Sequence, residues 1–322
     1  MKAAVTRAPG GPPGYEDFPE PVAGAGREVV ELVAAGIHPV VRSLAEGRHY
    51  GSTGTWPLIP GVDAVARTAG GALVYTGFAE APYGTLAERM AVPAALRHPL
   101  PEGTDPVQVA AGLNPGLASW MPLQARADGA GTLGTVVVLG VTGVAGTLAV
   151  QNARLLGAAR VIGAGRSPAG LDRAAAAGAT PVALTGDHAA DAAALAAALE
   201  GSPPSLILDL VWGPPAEALF AALGRRGLHE DTADIAYVQI GAAAGPHASM
   251  PAALLRSRRI QITGSGAGAA SITAIIAQLP AYMQLIAGHR VQVPARTFPL
   301  SHIAGAWTAS QDSGTRVVIV PG

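Results

Sequence analysis

The chain has 322 residues and is nearly neutral, with 21 lysines and arginines against 22 aspartates and glutamates. Basic residues are scattered, apart from Arg225-Arg226 and Arg258-Arg259, so a nucleic-acid partner is not expected. The chain has no cysteine, which excludes disulfides, thiol nucleophiles and cysteine-ligated metal sites. Residues 1–5 show no signal-peptide pattern and no apolar run approaches about 18 residues, so we expect a cytoplasmic protein with no membrane partner.

Residues 1–122 are divided by glycine and proline into short segments of β-type composition, which predicts a strand-rich and loop-rich module. The predicted strands are residues 2–6, 28–33, 62–69 and 86–92. Residues 264–322 return to this character after a predicted helix at 271–287 and end in a predicted strand at 317–320. We therefore expect the two terminal parts to form one discontinuous domain.

From residue 134 onward, strand-like and helix-like segments alternate. Residues 135–139 are a continuous apolar run, typical of a strand buried on both faces of a parallel sheet. The alternation predicts right-handed βαβ units and a doubly wound α/β domain at residues 123–263, with a cleft between it and the discontinuous domain. The further predicted elements are helices at 147–156, 168–177, 187–199 and 214–223 and strands at 160–163, 206–210, 236–240 and 260–263.

A glycine turn follows the apolar strand directly and precedes a predicted helix. Its spacing is GxxGxxG, and its strand-turn-helix context is the one in which a helix N-terminus binds a pyrophosphate. We predict dinucleotide binding at this turn, while a purely structural tight turn remains the alternative. The predicted cofactor residues of the turn are Gly140, Thr142, Gly143, Val144, Ala145 and Gly146.

The second predicted strand leads into Gly165, Arg166 and Ser167, without the acidic residue that binds the ribose hydroxyls of NAD. Arginine and a small hydroxyl residue instead suit the 2′-phosphate of NADPH. This pattern predicts NADPH as the cofactor, with Arg173, one helical turn further on, as a second candidate for the 2′-phosphate. The alternative is that Arg166 only extends along the surface.

Short segments along the whole chain match a known pattern. They are Gly36-Ile37, Ile59-Pro60-Gly61-Val62-Asp63, Gly84-Thr85-Leu86-Ala87-Glu88, Val92-Pro93, Leu113-Asn114-Pro115-Gly116, Ser119-Trp120, the glycine turn, Ala149-Val150-Gln151, Leu156-Gly157-Ala158, Gly178-Ala179, Ile240-Gly241 and Gly264-Ser265-Gly266. In their order and spacing, the chain resembles the medium-chain dehydrogenase/reductase superfamily, in its zinc-independent, quinone-oxidoreductase-like branch.

This resemblance implies a GroES-like catalytic domain, a Rossmann domain, and a nicotinamide cofactor with a small-molecule substrate in the cleft between them. It also implies a homodimer, as is common in the family, which here would pair through residues 259–263. The zinc enzymes of the superfamily use a cysteine and a Gly-His-Glu motif, whereas this chain has Gly61-Val62-Asp63 and no cysteine, so no metal is expected. The further cofactor residues that the resemblance implies are Asn114, Val211, Trp212, Gly241, Ala242, Gly264, Ser265, Gly266 and Arg316.

Two residues are candidates for the catalytic proton donor. Tyr50 occupies the position where the resembled enzymes commonly carry an active-site tyrosine, and a phenol is a reasonable proton donor to an enolate. His38 and Val41 replace the Asn-x-x-Asp pattern of many relatives, and His38 is either a substitute donor or a structural histidine. A third departure is Gly170, where relatives often carry a basic residue near the 2′-phosphate.

The sequence thus predicts an NADPH-dependent, zinc-independent oxidoreductase that transfers a hydride to a quinone or to the C=C bond of an α,β-unsaturated carbonyl. The alternatives are a specialised biosynthetic ene or imine reductase, and a weakly catalytic NADPH-binding sensor or scaffold protein.

Overall fold

The computed structural model describes residues 1–266, 268–312 and 314–322. It divides into two compact units, residues 1–115 with 279–322 and residues 116–278. These limits differ from the predicted boundaries after residues 122 and 263, because each limit falls within a long helix.

The first unit is β-rich, as expected. Strands β1 and β2 form an antiparallel pair, and the long strand β3 is the centre of a second sheet. Helix α1 (Pro39–Ala45) follows β3 directly. The strands of this part are β1 (Lys2–Val5), β2 (Gly14–Asp17), β3 (Arg27–Gly36), β4 (Asp63–Arg67), β5 (Leu73–Gly77), β6 (Arg89–Pro93) and β7 (His98–Pro99).

Helix α2 (Pro106–Ala130) was not among the elements predicted for residues 1–122. Pro115 and Gly116 obscure it in the sequence, since proline and glycine normally interrupt helices. Much of the helix is buried around its circumference, so its sequence lacks the apolar periodicity of a surface helix. The Asn152 side chain donates a hydrogen bond to the Gly116 carbonyl at 3.0 Å, so a later helix contacts α2 at Gly116.

The second unit is built on one six-stranded parallel sheet. Its strand order is β10-β9-β8-β11-β12-β13, which in units of the sheet is 3-2-1-4-5-6, the Rossmann order. The strands are β8 (Thr135–Leu139), β9 (Arg160–Gly165), β10 (Thr180–Ala183), β11 (Leu206–Asp209), β12 (Ile235–Gln239) and β13 (Ile260–Gly264). The helices are α3 (Val144–Leu155), α4 (Pro168–Ala176), α5 (His188–Leu199), α6 (Gly213–Ala222) and α7 (Ala252–Ser257).

The two faces of this sheet are both covered, which explains the continuous apolar run of β8. Val136 and Val138 pack into a core with α3 and α4, whereas Val137 and Leu139 pack into a core with α5 and α6. Strand β10 escaped sequence analysis because it is short, contains Pro181 and has only one buried residue. The predicted doubly wound α/β fold is confirmed.

The chain then returns to the first unit through helix α8 (Ile272–Ala287), strand β14 (Ala295–Pro299), helix α9 (Ile303–Ala309) and strand β15 (Arg316–Val320). Strand β15 pairs in parallel with β14 and antiparallel with β3. The C-terminal part thus completes the sheet around β3 and confirms the discontinuous, GroES-like β-rich domain. Among the described residues, no helix is both long and apolar enough to cross a membrane.

Candidate active and cofactor site

The strand order reverses between β8 and β11, which are neighbours in the sheet but not in sequence. In doubly wound sheets, ligands bind outside the carboxyl ends of the strands at this reversal. The loops after β8, β9, β11, β12 and β13 therefore define the candidate site within the second unit.

The glycine turn after β8 is closed by contacts that only glycine permits. Gly140 has φ +84°, and a Cβ atom there would lie 2.6 Å from Val211 Cγ1. A Cβ atom at Gly146 would lie 2.3 Å from the Gly140 carbonyl oxygen, so α3 packs directly on the turn. Gly143 is the N-cap of α3, which has neither a side-chain cap nor an acidic residue in its first turn. This backbone cradle, with the amides of Val144 and Ala145 at the helix start, fits a pyrophosphate.

The end of β9 is joined to the turn through Thr142. A Cβ atom at Gly165 would lie 2.5 Å from Thr142 Cγ2, and one at Gly170 would lie 2.4 Å from Thr142 Cβ. Gly165 is the last residue of β9, which is two residues longer than predicted. Arg173 donates a hydrogen bond from Nη2 to the Thr142 carbonyl at 3.2 Å, so its guanidinium supports the turn.

Arg166 is exposed directly beyond β9, next to the turn that Thr142 anchors. Ser167 caps helix α4, because its hydroxyl oxygen accepts a hydrogen bond from the Gly170 amide at 3.3 Å. The structure therefore brings Arg166 and Ser167 to the same edge as the glycine turn, with Arg166 as the accessible cation.

The loop after β11 depends on a residue that sequence analysis missed. Asp209 is the last residue of β11 and is fully buried. Its Oδ1 accepts hydrogen bonds from the amides of Val211 and Trp212 at 2.9 and 2.8 Å, and its Oδ2 accepts one from the Tyr237 hydroxyl. Burial raises the pKa of Asp209, and these three hydrogen bonds oppose that shift. In the sequence, the signal for this role of Asp209 was an acidic residue directly after three apolar residues of the strand Leu206–Asp209.

The loops after β12 and β13 meet the loop after β11. The Gly241 amide donates to the Asp209 carbonyl at 3.1 Å, and the exposed Ala242 follows. The Ser265 amide donates to the Gln239 carbonyl at 2.8 Å, which holds Gly266 beside the end of β12. An open cavity of about 400 Å³ lies at this edge, and its lining residues are Trp212, Gln239, Pro246, Ile262, Thr263 and Gly264.

The two chemical candidates belong to the first unit and differ sharply in exposure. Tyr50 is 75% exposed in the turn after α1, and its ring lies 4.1 Å from the His49 ring, centroid to centroid. His38 precedes α1 and is 2% exposed. Its Nε2 lies 3.3 Å from Asp63 Oδ1, within ion-pair distance of that carboxylate. This burial favours the structural alternative for His38.

Asp63 and Arg316 complete a buried polar cluster with His38. Burial lowers the pKa of His38, with Arg316 adding to the shift and Asp63 opposing it. Asp63 accepts a hydrogen bond from the Tyr75 hydroxyl at 2.8 Å. Arg316 donates to the Ile37 carbonyl at 2.9 Å, and burial lowers its pKa to about 10. Arg316, predicted as a cofactor residue, therefore holds the backbone next to His38.

Asn114, the remaining candidate, is half-buried in α2. Across the parts of the chain that the structure describes, no three His, Asp or Glu side chains gather where they could hold a metal ion.

Comparison with known proteins shows which of them share this architecture. The quinone oxidoreductase of Thermus thermophilus, solved also with NADPH, has 29% identity and a TM-score of 0.81 over 99% of this chain and 100% of its own. A probable NADPH-dependent quinone reductase of Emericella nidulans is 32% identical over 230 residues, or 68% of this chain. The chain belongs to the quinone-oxidoreductase-like branch of the medium-chain dehydrogenase/reductase superfamily.

Three further findings describe how far the similarity to known proteins extends. The matched region spans 63% of the length of the Emericella relative, and no family model matches the chain. A mycobacterial quinone oxidoreductase, at 21% identity and a TM-score of 0.80 over the full length of both chains, shares the fold. Within this medium-chain dehydrogenase/reductase, the glycine turn and the loop ends that Asp209 joins lie at the carboxyl ends of the strands, where doubly wound sheets bind ligands.

Proposed function

We propose that the protein is an NADPH-dependent oxidoreductase that reduces quinones or activated C=C bonds. The observation that carries this proposal is the arrangement at the ends of β8 and β9. There the glycine cradle of residues 140–146 adjoins the exposed Arg166, and no acidic residue competes for the 2′-position. The Thermus quinone oxidoreductase was solved in complex with NADPH, and the Emericella protein is named a probable NADPH-dependent quinone reductase, which supports this proposal.

The cofactor fits the residues that are present. Gly140 and Gly146 leave a backbone surface that a Cβ atom would fill, and the uncapped start of α3 presents its amides there. Arg166 would pair with the 2′-phosphate through charged hydrogen bonds. Bound NADPH supplies the hydride.

The protein must then stabilise the negative charge that develops on the acceptor oxygen. Tyr50 is the proposed donor, because its side chain is exposed and a phenol can donate a hydrogen bond or a proton to an enolate. A quinone gains a hydride and a proton and becomes a hydroquinone. An enone gains the hydride at its β carbon and the proton on the enolate.

The proposal includes three further statements. The reaction is zinc-independent, since the chain has no cysteine and Gly61-Val62-Asp63 replaces the zinc-binding motif. The protein works in the cytoplasm.

The protein forms a homodimer through β13, which is the last strand of the parallel sheet as described and has β12 as its neighbour. Light scattering of the purified protein tests the dimer.

The test of the activity is NADPH oxidation, followed by absorbance, against one panel of simple quinones, 2-alkenals, enones and cyclic imines. We expect turnover with quinones or enones, faster with NADPH than with NADH. Turnover of cyclic imines alone would favour the biosynthetic reductase. No turnover despite NADPH binding would favour a sensor or scaffold and contradict the proposal.

A further inference from the structure

We propose that Asp209 and Tyr237 form a positioning pair that fixes the nicotinamide half of the cofactor site. This inference rests on the proposed function, since it concerns how the same site holds NADPH. The pair belongs to the second unit and lies in the half of the parallel sheet that does not carry the glycine turn.

Asp209 connects two loops at once. Its carboxylate accepts hydrogen bonds from the amides of Val211 and Trp212, in the loop after β11. Its carbonyl accepts hydrogen bonds from the amides of Ile240 and Gly241, at 2.7 and 3.1 Å, in the loop after β12. A single buried residue thereby fixes the relative positions of both loops.

Trp212 shows what the carboxylate holds in place. Its backbone has φ +54° and ψ −160°, a conformation that favours glycine and persists only when the surroundings impose it. The Asp209 hydrogen bond to its amide provides part of that constraint. The indole packs edge-on against Phe220 and Tyr237, at centroid distances of 5.9 and 6.2 Å. Tyr237 therefore acts twice, as donor to Asp209 and as packing partner of Trp212.

The two loops are also joined to each other. The Ala244 amide donates a hydrogen bond to the Val211 carbonyl at 2.7 Å. A Cβ atom at Gly241 would lie 2.6 Å from the Leu210 carbonyl oxygen, so the loops approach at a glycine contact. Loosening Asp209 would therefore shift Val211, Trp212 and Gly241 together.

The position of the pair in the sheet decides which half of the cofactor it affects. A Rossmann sheet consists of two mononucleotide-binding halves. The first half, β8 to β10, carries the glycine turn and Arg166 and receives the adenosine 2′-phosphate. The second half, β11 to β13, carries Asp209 and Tyr237 and receives the nicotinamide nucleotide.

A comparison of whole and partial ligands separates this role from general stabilisation. The variants Tyr237→Phe and Asp209→Leu are titrated calorimetrically with NADPH and with adenosine 2′,5′-bisphosphate, which lacks the nicotinamide nucleotide. We expect the NADPH Kd to rise about tenfold, as for the loss of a buried hydrogen-bond partner, and the Kd of the fragment to stay unchanged. Asp209→Asn keeps an acceptor for the amides and is expected to bind NADPH nearly as tightly as the wild type.

The chain offers a matched control. Tyr75 donates to Asp63 in the first unit, in a second buried tyrosine–aspartate pair. Tyr75→Phe removes the same kind of hydrogen bond, and we expect both ligand affinities to be unchanged. Tyr237→Phe retains the ring that packs against Trp212 and removes only the hydroxyl. It therefore tests the positioning role even if Asp209→Leu does not fold.

Two results would overturn the positioning role: an unchanged NADPH Kd in Tyr237→Phe, or equal losses of NADPH and fragment binding. Failure of the wild type to bind either ligand would instead contradict the proposed function itself.

Discussion

Thr142 and Gly170 pack so closely that a Cβ atom at residue 170 would lie 2.4 Å from Thr142 Cβ and 3.0 Å from its Cα. Residue 170 is glycine because Thr142 of the glycine turn occupies the space that any side chain would need. A basic residue at this position, which the resembled enzymes often carry, is therefore incompatible with Thr142 in the turn. In the proposed NADPH site, the 2′-phosphate contact then depends on Arg166.

The first prediction follows from this contact. Gly170→Ala should lower the free energy of unfolding by about 1–3 kcal/mol, because overpacking forces the turn to move, and should weaken NADPH binding. Chemical denaturation and NADPH titration measure the two effects. Gly305→Ala is the control, since a Cβ atom at this helical glycine meets nothing within 4 Å. In a double-mutant cycle, Thr142→Gly should relieve part of the loss, and additive losses would show that the contact is not the cause.

The second prediction concerns Arg173, whose guanidinium holds the Thr142 carbonyl. Arg173→Ala removes a hydrogen bond of the turn worth about 1 kcal/mol, so NADPH and NADH should both bind roughly fivefold more weakly. Parallel titrations with the two cofactors measure this. A loss confined to NADPH would instead make Arg173 a direct ligand of the 2′-phosphate.

The third prediction concerns Tyr50. Tyr50→Phe should lower kcat about 100-fold, the usual scale of a lost proton donor, and leave the Kd of NADPH unchanged. Steady-state kinetics with the best acceptor give the first value and titration the second. Tyr15→Phe, at a tyrosine that is 40% exposed in β2, serves as the matched control. An unchanged kcat would exclude Tyr50 as the donor.

The fourth prediction is a pH dependence. Burial holds the pKa of His38 below its ordinary value, so the folded protein keeps this ring neutral. The unfolded chain protonates it near pH 6.5, and the unfolded state therefore binds more protons below that pH. The contribution of neutral His38 to stability is present above pH 6.5 and is lost as the pH falls towards the folded-state pKa.

His38→Gln removes this titration. Its unfolding free energy should fall less steeply than that of the wild type between pH 6.5 and 5, by up to about 1.4 kcal/mol per pH unit. Urea denaturation at several pH values measures the difference. Identical slopes would mean that His38 is protonated in the folded state, paired with Asp63.

The sequence predicts features that depend on local patterns. Strand β8 and the glycine turn could be predicted from the sequence. A strand buried on both faces is continuously apolar, and the turn needs glycines at fixed positions. Helix α2 was missed because it contains Pro115 and Gly116, which normally interrupt helices, and because its burial removes the amphipathic period.

Only those parts of the candidate site that depend on local patterns could be predicted from the sequence. Arg166 follows a strand, and its position at the edge of the site could be predicted from spacing alone. Asp209 could not be assigned its partners, because Tyr237 lies on the neighbouring strand and its contact depends on the sheet register. The burial of His38 and Arg316 likewise depends on β15 packing beside β3, a pairing between distant parts of the chain.

The most direct test is cofactor selectivity in the wild type and in Arg166→Ala, with one quinone as the acceptor. We expect the wild type to prefer NADPH and the variant to lose about 10- to 100-fold in kcat/KM with NADPH, as for a lost charged hydrogen bond. Activity with NADH should be unchanged. Equal use of both cofactors by the wild type, or an equal loss with both in the variant, would contradict the assignment of Arg166 to the 2′-phosphate.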